Sequence, residues 1–165
     1  RALIERAKEN SVNFLSSVVL GINDGLIEIT GALIGFSFAL EDRLLIAGAG
    51  LITGISASLS MASSAYMQAR YEGNKDPRKA GIYTGGAYLV IVALLVAPFF
   101  IFYKVFLALG VMFAVAFVII NAMSFYSAVL LQRKFVRQAL ELFVASIGVG
   151  AVTFVIGSLF RFFTP

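Results

Sequence analysis

Two carboxylates set in an apolar run carry the chemistry of this sequence. Asp24 and Glu28 lie in the stretch Gly-Ile-Asn-Asp-Gly-Leu-Ile-Glu at 21–28. Four residues apart, they share one face of a helix. Carboxylates in hydrocarbon are costly and by default mark an ion path or face a partner. Two bare carboxylates one turn apart in a low dielectric disfavour each other. One is therefore expected to hold a proton while the site is empty, and an arriving divalent cation would displace it. Asn23 and Gly25 flank Asp24, and Gly in a membrane helix can mark a local break whose freed carbonyls hold a cation. The blander readings are an Asp24 that only bonds a neighbouring helix, and a Glu28 that is a protonated acid bonded to Ser56 or Thr53. Met61 offers a thioether. Alone it reads as adaptable core filler. Together with carboxylates it makes a mixed donor set that suits ferrous iron or manganese and disfavours calcium and magnesium.

The surroundings of these residues fix the class of protein. Of the 165 residues 60% are hydrophobic and 13% charged, against about 45–50% and about 25% in a soluble domain. So much apolar surface requires lipid as solvent, and an all-α integral membrane protein without a sizeable soluble domain is expected. There is no Cys and no His, which removes disulfides, thiolate sites, the commonest metal ligand and the usual general base. There is also no phosphate-cradling Gly loop with Lys and no nucleotide fingerprint, so neither an enzyme nor an ATP-driven pump is expected. The net charge of +4 is spread over loops and does not imply a nucleic-acid partner. No permanently bound cofactor is implied, because the metal would be cargo. The chain lacks an initiator Met and reads as a piece of something longer.

Residues 1–10 form a charged segment, and 11–165 form a membrane domain of five spans, at about 12–40, 44–69, 80–103, 105–131 and 138–163. Each suffices for a hydrocarbon core that takes about 20 helical residues to cross. Pro98 and Lys104 favour a turn between spans three and four. Arg1, Arg6, Lys8, Arg70, Lys75, Arg78, Lys79, Arg133, Lys134 and Arg137 fall on one side, and Arg43, Lys104 and Arg161 on the other. This bias predicts a cytoplasmic N-terminus. Counting from the turn at 41–43 puts Asp24 and Met61 at nearly the same depth, and Asn121 of span four at a similar one. Gly21, Gly25, Gly31 and Gly35 have the small-xxx-small spacing of close helix packing, and Ser56, Ser60 and Ser64 form a polar stripe on span two. The functional reading is a tight polar seam between spans one and two, with Asn23, the three serines and Asn121 as further path-lining residues, and the blander one for the glycine pairs is ordinary membrane helix packing.

The segments Leu-Gly-Ile-Asn-Asp-Gly-Leu at 20–26 and Ser-Met-Ala at 60–62, with the five-span layout, resemble the vacuolar iron transporter family. The likeness is closest to its prokaryotic branch, whose members often carry a ferritin-like domain. The resemblance implies a homodimer in a prokaryotic cell membrane. It also implies a metal path at the dimer interface lined by the first two helices, and export of ferrous iron or manganese from the cytosol by proton antiport. It assigns Asp24 and Met61 as path ligands. Ala65 stands where the family's second-helix motif carries Glu, so an entrance ligand is either lost here or replaced. The long insertion that plant members carry between spans two and three is absent, as is the ferritin-like domain. Two other classes compete: a membrane anchor that dimerises such a domain without transporting, and a monovalent cation channel that needs neither Met61 nor proton exchange.

Overall fold

The structure is a computed structural model describing residues 2–74, 76–130 and 134–163, with side chains described from Leu15 onward, Leu130 excepted. The chain is all-helical: α1 is Ala2–Ala39, α2 Arg43–Tyr71, α3 Pro77–Ile101, α4 Val105–Leu130 and α5 Phe135–Phe163. All five are long and apolar enough to cross a membrane. At a rise of about 1.5 Å per residue, the 38 residues of α1 outreach a hydrocarbon core of about 30 Å. The charged residues of its first turns continue the same helix that carries Asp24.

Local chemistry sets the helix ends. Asp42 caps α2, its carboxylate accepting from the backbone N–H groups of Leu44 and Leu45 at 2.7 and 3.0 Å, which satisfies donors that helix geometry leaves unpaired. At the other end of α2, Gly73 adopts φ +72°. There the Asn74 N–H reaches back to the Ala69 carbonyl at 2.9 Å, a closure that favours glycine. Pro77 starts α3, where a missing N–H has no cost. Pro98 falls in its last turn, and the helix ends at Ile101, with three residues between it and α4.

The glycines decide which helices touch. A Cβ at Gly21 would strike the Thr84 carbonyl of α3, and one at Gly25 would sit 3.3 Å from the Tyr88 ring. Gly31 and Gly35 face Val149 and Thr153 of α5, and Gly157 lies directly on the backbone of Gly35. On the other flank, Gly54 meets Val92, and Gly81 and Gly85 meet Ala62 and the Ser58 carbonyl. The tight seams are therefore α1–α3, α1–α5 and α2–α3. This differs from the seam expected between the first two spans, where Leu33 against Gly50 makes a lesser contact. The reason is side-chain size. Gly54, Ser58 and Ala62 line the face of α2 that meets α3, whereas Ser56, Ser60 and Ser64 are two residues out of phase and exposed.

The core holds Leu26, Ile29, Leu33, Tyr88, Leu95, Phe99 and Met112. Phe38 of α1 packs edge-on to Phe106 of α4 and Phe154 of α5, with centroids 6.0 and 4.5 Å away. Large apolar side chains such as Ile52, Phe106, Val136 and Ile147 point outward, as lipid requires. At the end holding the α1–α2 turn, Arg161 pairs with Glu41 at 2.6 Å. Arg43 lies 4.5 Å over the Tyr103 ring and donates to the Phe100 carbonyl at 2.8 Å, closing the end of α3.

Candidate metal path

Helix α1 runs unbroken through Asn23, Asp24 and Gly25, so the local break expected at Gly25 does not occur. Gly25 serves instead as a slot for the Tyr88 ring, which lies too close for most side chains. Ser16, Leu20, Asp24 and Glu28, at steps of four, wind along the outer surface of α1. Ser16, Leu20 and Glu28 are exposed, and Asp24 is partly buried. The Tyr88 hydroxyl, on a side chain with no exposure at all, donates to Glu28 Oε2 at 2.7 Å. Glu28 thus takes its partner from α3 and not from Thr53 or the exposed Ser56 of α2. One carboxylate is held by a buried donor, and the next lies one turn along the same outward stripe. Beside them, the Oδ1 of partly buried Asn23 is shielded and has no hydrogen-bond partner among the described residues.

Met61 is partly buried and packs against the core. Gly21 lies on Thr84, and Gly85 lies on Ala62, so residues near 21 and 62 share a level. Asp24 and Met61 then lie within about half a helical turn of each other in depth. Among the other candidates, Ser56, Ser60 and Ser64 open to the outside of the bundle. Asn121 instead turns its amide back to the Phe117 carbonyl of its own helix at 2.8 Å. Ala65 is 7% exposed, on the α2 face that packs inward. Gly21, Gly25, Gly31 and Gly35 all find their neighbours within the same chain. Among the described residues no group of three or more acids gathers into a metal cluster. Among the residues of α1 with described side chains the acids come as a pair, Asp24 and Glu28, with Asn23 beside them.

Tyr88 escaped the sequence reading. Its signal was a phenol in mid-span, since a buried Tyr hydroxyl seeks a partner. A polar contact between α4 and α5 was missed as well. There the Gln138 amide donates to the Ser127 hydroxyl at 2.8 Å, both buried. That pair closes a helix crossing and touches neither carboxylate.

Residues 15–75 match the VIT family model, a span that includes both Asp24 and Met61. No curated protein and no solved structure matches the chain.

Proposed function

From the match of residues 15–75 to the VIT family model, we propose that this protein moves ferrous iron or manganese out of the cytosol in exchange for protons. In this reading the path runs between two copies of the chain, past Asp24, Glu28 and Met61. The observation that carries it is the outward stripe of α1, where Glu28, held by Tyr88, and Asp24 lie on the outside of the bundle at membrane depth. Carboxylates there are not tolerated against lipid. A second copy meeting the same face across a two-fold axis is the economical cover, because such an interface is self-complementary. It would also double the carboxylates, which one chain supplies only as a pair. The exposed serines of α2 would add neutral oxygens, and Met61 a soft donor that favours transition metals over calcium and magnesium.

Coupling follows from charge. A divalent cation and a proton seek the same carboxylate oxygens. Proton and metal therefore compete, and metal release on the far side is helped where protons are abundant. The test is manganese uptake into vesicles with a pH dye recorded alongside. Asp24→Asn keeps the size and removes the charge, so metal flux and proton counterflow should both fall to background, while Glu28→Gln should chiefly flatten the pH dependence. Parental flux that ignores pH, or an Asp24→Asn variant that transports normally, would rule out this path. Monovalent current would favour a channel, and no flux at all would favour an anchor.

A further inference from the structure

We infer that Tyr88 sets the cation preference of the path by holding Glu28 as a one-oxygen ligand. The inference rests on the transport reading above and adds a residue from α3, an element outside the stripe itself. Three observations support it. The Tyr88 hydroxyl donates to Oε2 of Glu28 at 2.7 Å, leaving Oε1 as the oxygen free to face a cation. The ring that carries the hydroxyl is fully buried. It is wedged against Gly25, where an added Cβ would lie 3.3 and 3.4 Å from its carbons. The donor is therefore fixed by packing, while the carboxylate it holds is exposed. A side chain in that state is not free to turn both oxygens onto one ion.

Denticity discriminates between ions. Calcium gathers about six to eight oxygens and commonly takes carboxylates two oxygens at a time. Smaller divalent ions such as manganese or ferrous iron are satisfied by about six donors, so a single oxygen from Glu28 costs them less. Holding one oxygen back disfavours calcium, and orienting the other prepares the site for the smaller ion. The role is one of positioning. Partners that orient a ligand in this way typically affect metal affinity about 10–100-fold.

The test is manganese uptake into vesicles holding the full chain, with calcium as competitor, in the parent and in Tyr88→Phe. The variant keeps the ring in its slot and removes only the hydroxyl. The expected result is a KM for manganese raised about tenfold with little change in maximal rate, and calcium inhibiting several-fold more strongly relative to the parent. A fall in maximal rate alone, with KM and calcium competition unchanged, would mark a structural contact and overturn the inference. Glu28→Asp, whose shorter arm withdraws the carboxylate from the hydroxyl, supplies a second variant. The two changes combined should then be no worse than the stronger one, as expected for groups acting as a unit. Additive effects would overturn the inference while leaving transport intact. Absence of manganese flux in the parent would overturn the transport reading, and this inference with it.

Discussion

At the scale of residues, the donor set divides between charge and softness. On the proposed path the carboxylates supply the attraction and Met61 tunes it. Met61→Ala should lower manganese or iron flux several-fold relative to magnesium and calcium, measured as the ratio of uptake rates in one vesicle preparation. An equal loss for all four ions would trace the effect to packing, since Met61 also borders the core. Asp24 and Glu28 were legible in the sequence because acids in an apolar run are conspicuous. The partner of Glu28 was not, because it comes from 60 residues away in α3, and helical spacing pairs only neighbours within one element. The same limit hid the role of Gly25. In a linear reading glycine beside an acid suggests a broken helix, whereas here its missing side chain admits a ring from another helix.

At the scale of elements, the fold rests on places where one helix meets another with nothing between. Gly157 on the backbone of Gly35 is the closest of these on α5, whereas Gly148 of the same helix has open space where a side chain would go. Gly157→Leu should therefore destabilise the protein by about 1–3 kcal/mol or more, as overpacking does, while Gly148→Leu should be nearly neutral. Unfolding midpoints in detergent, followed by the fraction running as a single species on size exclusion, would check the pair. Equal midpoints would mean that α5 is not seated on α1 as described. That five helices cross the membrane was readable from composition and span length. Which helices adjoin was not, because small-xxx-small spacing marks a face that packs closely without naming its partner. The spacing of the α1 glycines suited a seam with α2, ordinary helix packing or a contact between copies, and in the structure Gly21 and Gly25 face α3, and Gly31 and Gly35 face α5.

At the scale of the whole molecule, the proposed path has two copies meet along the outward stripe of α1. The chain has no cysteine, so a single introduced thiol is a clean reporter. Leu20 is 45% exposed and lies one turn from Asp24 on that stripe, whereas Val136, 72% exposed, lies on α5. In membranes treated with a mild oxidant, Leu20→Cys should give a disulfide-linked dimer on a non-reducing gel, and Val136→Cys should remain a monomer. The reverse pattern would move the contact between copies to α5 and separate the carboxylates from it.

The backbone contacts of α1 also bear on how such a molecule can move. Where Gly21 meets the Thr84 carbonyl and Gly35 meets Gly157, no side chain intervenes that could yield by changing rotamer. To turn or slide, α1 would first have to separate from α3 and α5 together. The packing keys the three helices to one another. On the proposed transport reading, exposure of the carboxylates to one side or the other would come from whole bundles tilting against each other, or from side chains swinging within a fixed frame. Spin labels on α1 and α3 of one chain should accordingly keep their separation throughout a transport cycle.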